Sequence, residues 1–395
     1  MPEQTGHKRR VRYRGTHPRS YEEKYKEHDP LKYADTVAKV ISKGSTPAGM
    51  HRSIMVQEIL DFLQIQPGER GLDATLGYGG HTKRMLEELQ GQGHIYALDV
   101  DPIEIVRTKE RLAAAGYGAD ILTVLQQNFV DLGGIAARYG PFDFLLADLG
   151  VSSMQIDNPA RGFSYKADGP LDLRLDPEHG LSAAERLRML SRAEIEGMLV
   201  ENSDEPYARQ IAGEIIRTYR NGGRIDTTRE LREAIGRALS TLPDDREKKD
   251  IVKKTCQRTF QALRIDVNSE FEVLEAFLEA LPGALAPGGR AAILTFHSGE
   301  DRLVKKAFSR YQKDGIFSEI SRDVMRPSVE ECRQNGRARS TKMRWARRAW
   351  GGEGLLCTII SPPWRESQPT FTAICSQNIS AESTSTIRLF LRACI

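Results

Sequence analysis

Leu72-Asp73-Ala74-Thr75-Leu76-Gly77-Tyr78-Gly79-Gly80-His81-Thr82 reads as an apolar strand running into a glycine-rich turn and then a helix. Glycines at such a turn let a ligand approach the backbone and leave N–H groups free to bind it. Thr82 stands where the dinucleotide fingerprint wants its third glycine. The next strand ends in Leu98-Asp99-Val100-Asp101, where a carboxylate about 20 residues on reaches ribose hydroxyls. The pattern therefore fits a ribose-bearing ligand, either a nicotinamide dinucleotide or S-adenosylmethionine. Two features favour the latter. Asp73 places a carboxylate where a ligand amino group is welcome and a pyrophosphate is repelled, and no Lys or Arg follows the glycines before Lys83.

Outward from this turn, residues 51–156 alternate strand-like runs (70–76, 94–100, 121–127, 142–149) with helical patterns such as 102–115. That alternation is the signature of βα units on a doubly wound parallel sheet. Residues 157–265 change character. Ser182/Glu185, Ser191/Glu194 and Thr227/Glu230 are capping boxes opening helices, and Ile211, Ile215, Ile216 and Tyr219 form an apolar stripe, as do Leu231, Ile235 and Leu239. We read a helical insertion. Residues 266–348 return to the sheet pattern, with a helix over 271–281 stopped by Pro282-Gly283 and a buried strand over 290–295. Residues 1–50 form a polar N-terminal extension, helical around 22–42, and 349–395 an atypical tail.

Composition excludes several classes. The chain of 395 residues carries 57 Lys+Arg against 54 Asp+Glu, a net charge of +3, so any nucleic-acid surface must come from local clustering. No apolar run is long enough to cross a bilayer. Five cysteines without a CxxC pair argue against a disulfide framework and for a reducing compartment. The histidines show no HxxxH spacing, and we expect no metal site. The basic N-terminus reads as a solvated arm more readily than as an organelle signal.

Three further features bear on chemistry. Asp148 leaves a buried strand at the sheet's carboxyl edge and either faces the crevice or caps the next helix. His297, after the fifth strand, offers a base, a base-edge donor or a phosphate contact; a lone His is more often a structural residue. Arg333, Arg337, Arg339, Lys342, Arg344, Arg347 and Arg348, interleaved with Trp345, suit phosphate contacts and base stacking.

Taken together, LDATLGYGGHT (72–82), ALDVD (97–101), the long run at 147–176, CQRTFQALRIDVNSE (256–270), APGGRAAILTFHSGEDR (286–302) and RARSTKMR (337–344) resemble the small-subunit ribosomal RNA methyltransferase H (MraW) family over residues 50–348. The resemblance implies a Rossmann-like class I methyltransferase fold with an inserted helical domain. It implies N4-methylation of a cytidine in the decoding region of small-subunit ribosomal RNA, with S-adenosylmethionine as cofactor. By motif, the cofactor contacts are Gly79, Gly80, His81, Asp99, Phe129, Asp148 and Gln155. Asp148, or a backbone carbonyl near Leu149, is the candidate acceptor of an N4 hydrogen, and His297 a weaker catalytic candidate. The helical insertion and the 333–348 segment are candidates for holding RNA. The partner is the small ribosomal subunit, the compartment the bacterial cytoplasm (an organelle for a eukaryotic source), and the resemblance suggests a homodimer. Gly299 departs from the leucine common in the family, which bears on the crevice near His297. Residues 1–50 and the tail have no counterpart in ordinary bacterial members. A nicotinamide oxidoreductase, a non-catalytic ribosome-binding protein, and the same chemistry on another RNA or DNA remain as rivals.

Overall fold

A computed structural model describes residues 53–243 and 246–350. The helix read at 22–42 and all but the first two residues of the 349–395 tail lie outside the described residues.

Seven strands form one sheet: β1 (Arg70–Asp73), β2 (His94–Asp99), β3 (Leu122–Gln126), β4 (Phe142–Asp148), β5 (Leu285–Thr295), β6 (Phe317–Ile320) and β7 (Lys342–Arg348). Their order is β3-β2-β1-β4-β5-β7-β6. β1 to β5 are parallel, and β7 runs antiparallel to both its neighbours. The chain builds outward from β1 through β2 to β3, then returns to β4 on the other side. This reversal opens a crevice beyond the carboxyl ends of β1 and β4, where open α/β sheets bind ligands.

The apolar run of β4 follows from its position. Phe144 and Leu146 enter the core on one face of the sheet, Leu145 and Ala147 the core on the other. Both faces are covered, so neither parity of residue can be polar.

The insertion has its own core, drawn from residues 163–263 and including Leu187, Leu199, Ile211, Ile235 and Leu263. The capping boxes at Ser182, Ser191 and Thr227 form as read. The last helix, Arg246–Asn268, passes the 265/266 boundary read from sequence. Asn268 accepts from Leu175 N and donates to Leu173 O, each at 2.8 Å, tying the helix to the insertion's first loop.

Pro282 does not stop its helix, which spans Glu270–Ala284. Proline lacks the N–H that the carbonyl four residues earlier would receive. That carbonyl belongs to Leu278, and the Tyr311 hydroxyl donates to it at 3.1 Å. A tertiary donor thus replaces the missing helical one.

Candidate active site

The turn after β1 is built by backbone geometry. Gly77 and Gly79 take φ of 48° and 78°, in the left-handed region. Gly79 precedes the Gly80–Leu89 helix, and a Cβ there would lie 2.8 Å from Thr108 Cγ2. Glycine at 79 is therefore required by turn and packing alone, and Gly79 is not among the residues lining the crevice. Thr82 Oγ1 donates to Asp73 Oδ2 at 2.6 Å, and Thr75 N to Asp73 Oδ1 at 3.1 Å. Asp73 is 1% exposed, so its reading as a contact to a ligand amino group is corrected: the carboxylate pins the strand to the helix beyond the turn. Burial pushes its pKa up against the hydrogen bond from Thr82.

Asp99 closes the other side of the turn. Its carboxylate accepts from Gly77 N at 2.7 Å and from Asp101 N at 2.9 Å. Burial raises its pKa to about 6 against those N–H bonds, and the Asp101 charge adds to the rise. Asp101 is fully buried. It caps the Pro102–Ala114 helix and accepts from Gln155 Nε2 at 2.8 Å and Arg161 Nη1 at 2.6 Å. Gln155 also completes a capping box with Ser152, which makes Ser152, and not Asp148, the cap of the short Ser153–Asp157 helix.

Asp148 ends β4. Its N–H donates to Thr75 Oγ1 at 2.6 Å, which sets it against β1. Oδ2 lies 3.6 Å from His81 Nδ1, while buried Oδ1 has no hydrogen-bond partner. His81 Nε2 lies 2.9 Å from the Ile54 carbonyl, which can only accept. Nε2 therefore carries a hydrogen, and Nδ1 faces Asp148. Burial raises the Asp148 pKa to about 6; His81 opposes, and Asp73 and Glu300 add to the rise. The result is a carboxylate with one oxygen unpartnered, a charge that mostly persists at neutral pH, and a strong appetite for a donor.

These groups line one crevice of about 400 Å³, between the sheet's carboxyl edge and the insertion. Of the seven cofactor residues implied by motif, Gly80, His81, Asp99, Phe129, Asp148 and Gln155 line it. Leu175 and Arg264 from the insertion and Phe296 from the end of β5 complete the wall. Asp101, Arg161 and Arg264 lie within the motif stretches, but nothing in their spacing shows their partners. Arg161 Nη2 donates to the carbonyls of Arg174 and Leu175 at 3.0 and 2.8 Å, so it braces the loop that forms the crevice wall.

His297 is not among the lining residues. It caps the Ser298–Lys313 helix, with Nδ1 accepting from Glu300 N and Nε2 3.2 Å from Glu300 Oε1. Burial pushes the Glu300 carboxyl up, but the His297 hydrogen bond, the His297 charge and Arg264 outweigh it and hold it below the ordinary range. The geometry gives His297 a structural task. Among the described residues, Glu270, His297 and Glu300 bring ligand atoms within 4.8 Å of one another. Arg264 pairs with both Glu270 oxygens at 2.8 Å, so a guanidinium already supplies the positive charge there. Gly299 sits against Phe271: a Cβ would lie 2.6 Å from Phe271 Cζ, so that ring fills the volume a larger residue would take.

Most cations of the basic segment pair within the fold, while Arg333 and Arg339 are exposed and Arg337 lines the crevice. Lys342 and Arg344 bind Asp301 at 2.9 and 2.6 Å, Arg337 binds Asp157 at 2.8 Å, and Arg347 lies 3.5 Å from Glu319. Arg348 donates to the Leu285 carbonyl. Burial raises the Asp301 carboxyl, but Arg344 and Lys342 outweigh this and hold it low. Trp345 stacks on Phe62 at 4.6 Å. Alternate residues of β7 enter the cores on both faces of the sheet, and its cations pair within the fold.

A crevice at the switch point of a seven-stranded sheet with a reversed β7, walled by acidic loop ends, defines a class I methyltransferase. Residues 48–349 match the MraW methylase family, and the chain belongs to it. Its cofactor is S-adenosylmethionine. The chain is 65% identical over 343 residues to "Ribosomal RNA small subunit methyltransferase H 1" of Lachnoclostridium phytofermentans, covering 87% of this chain and 93% of that one. It is 61% identical over 341 residues to "Ribosomal RNA small subunit methyltransferase H 2" of Alkaliphilus metalliredigens, covering 86% and 97%. Against "Ribosomal RNA small subunit methyltransferase H" of Thioalkalivibrio sulfidiphilus it is 40% identical over 326 residues, covering 76% and 98%. The first two alignments are longer than the 48–349 match, so part of the flanking sequence does have counterparts in these relatives. Among the described residues, no helix is long and apolar enough to cross a membrane.

Proposed function

We propose that the chain methylates the exocyclic N4 of a cytidine in the decoding region of small-subunit ribosomal RNA, in the bacterial cytoplasm. The observation that carries this reading is the Asp148 carboxylate at the crevice wall, at the carboxyl end of β4. The names of the relatives supply the substrate class.

S-adenosylmethionine, when bound, supplies a methyl group on a sulfonium, transferred by in-line displacement. In this reading Gly80, His81, Asp99, Phe129, Asp148 and Gln155, which line the crevice, would hold it, with Gly79 shaping the turn. Asp99 stands at the end of β2, where a carboxylate meets ribose hydroxyls. Cytosine N4 is a weak nucleophile because its lone pair is delocalised into the ring. The Asp148 carboxylate accepts a hydrogen bond from N4, which localises that pair. As the sulfonium gave up its methyl to N4, the Asp148 carboxylate would take the N4 proton. A raised pKa suits that transfer, since it narrows the gap between acceptor and donor. The crevice accepts the base only if it is unstacked from its neighbours.

Asp148→Asn tests the role of the carboxylate. It keeps shape and loses the proton acceptor, so turnover should fall by about 100-fold or more, with cofactor affinity, measured separately by calorimetry, within a few-fold. Unchanged turnover would remove Asp148 as acceptor.

A further inference from the structure

A second recess, of about 230 Å³, opens between the Ser298–Lys313 helix and the loop that follows β6. It shares no lining residue with the crevice. Lys305 and Ser309 reach it from the helix, Ser321 and Arg322 from the loop, and Arg344 from β7. Among the described residues no carboxylate lines it; Asp323, next to Arg322 in the chain, does not. Arg344 is its buried member, 6% exposed. Arg344 Nε donates to Asp301 Oδ1 at 2.6 Å, and Lys342 Nζ donates to the other oxygen at 2.9 Å. One carboxylate thus answers two cations. The Nη groups of Arg344 make no hydrogen bond among the described residues and are not sealed from solvent. Arg264 and Arg290, by contrast, each set two nitrogens on a carboxylate. Ser321 is also buried, and its Oγ accepts from Trp345 N at 3.1 Å, which leaves the hydroxyl hydrogen to donate. Lys305 and Arg322 are exposed and, among the described residues, stand in no ion pair.

We propose that this recess binds a phosphate group. A buried guanidinium is costly unless its charge and its donors are both met. Asp301 meets half of that need, and the recess exposes the rest. A guanidinium fork matches two oxygens of a phosphate, and charge-assisted bonds of this kind are the strong ones. Ser321 offers a further donor inside the recess, and Lys305 and Arg322 add positive charge at its mouth. Donors from a helix, a loop and a strand suit a tetrahedral anion better than a planar carboxylate. The group has two sources, a backbone phosphate of bound RNA or a free phosphate. The site stands apart from the proposed methyl transfer, since none of its residues lines the crevice.

The test uses the full chain and two probes, labelled inorganic phosphate in equilibrium dialysis and small ribosomal subunits in a binding titration, both at one fixed ionic strength. Lys305→Gln/Arg322→Gln removes the mouth cations and should weaken phosphate binding by about ten-fold or more. Ser321→Ala, which changes no charge, should weaken it by a smaller factor. Lys306→Gln/Lys313→Gln removes the same charge from exposed positions of the same helix outside the recess, and should leave phosphate binding within about two-fold. Loss of subunit binding in the mouth variant beyond that in the control assigns the site to RNA backbone phosphate. Loss of phosphate binding with subunit binding unchanged assigns it to a free phosphate. If the mouth variant matches the control with both probes, the site is overturned. Neither probe reads methyl transfer, so a failure of the proposed reaction leaves this result standing.

Discussion

The Asp101 carboxylate, fully buried, lies 2.6 Å from the Arg161 guanidinium. One partner sits two residues past the end of β2, the other in the loop that opens the insertion. The same guanidinium holds the backbone of Arg174 and Leu175, so this pair joins the β2 side of the crevice to the insertion.

Removing one member of a buried pair leaves an uncompensated charge. Arg161→Met should therefore cost about 3–5 kcal/mol in urea unfolding. It should also raise KM for both substrates, because Leu175 loses its brace. A cost under about 1 kcal/mol would mean that Asp101 finds another donor.

Asp148 also shapes stability. Its pKa is about 6 in the folded chain against an ordinary 3.8. Between roughly pH 4 and 6 the folded state thus binds more protons than the unfolded state, and stability falls as pH rises through that window. Asp148→Asn removes this penalty. The variant should be more stable than the parent at pH 8, by up to about 3 kcal/mol, with the gain vanishing below pH 4. Thermal melts of both proteins across pH 4 to 8 check the sign.

Methyl transfer should need the ionised carboxylate. Turnover at saturating substrates should rise with pH through about 6 and level off above 7. The residual activity of Asp148→Asn should lack that limb. A parent profile flat from pH 5 to 8 would detach the raised pKa from the reaction.

Gly299 and Phe271 should behave as a coupled pair. Gly299→Leu alone overpacks against the ring and should cost about 1–3 kcal/mol. Combined with Phe271→Ala, the cost should be less than the sum of the two single changes, by more than about 0.5 kcal/mol. Additive costs would show that Phe271 does not occupy the space in question.

Much of this was legible in the sequence, for physical reasons that differ by element. The parallel strands announced themselves because burial on both faces forces apolar runs such as Phe142–Ala147. The capping boxes did so because both partners lie within one helical turn. Asp99 and Asp148 were legible as crevice groups because they end strands. What sequence could not give was pairing at a distance. Asp73 reads like Asp99 until Thr82 is seen to hold it. The cations of β7 look solvated until Asp301, 41 and 43 residues away along the chain from Lys342 and Arg344, is seen to bind two of them. Pro282 reads as a helix stop until Tyr311 supplies the donor. Asp101 and Arg161 are separated by 60 residues and by a change of structural unit, and no local pattern links them.

The central claim is methyl transfer to one cytidine amino group. The direct measurement incubates the purified chain with isotope-labelled S-adenosylmethionine and small ribosomal subunits from a strain without the gene, followed by mass spectrometry of the digested RNA nucleosides. Label is expected in N4-methylated cytidine from the decoding region and in no other nucleoside. Label confined to a different base, or none where a control methyltransferase labels the same subunits, would contradict it.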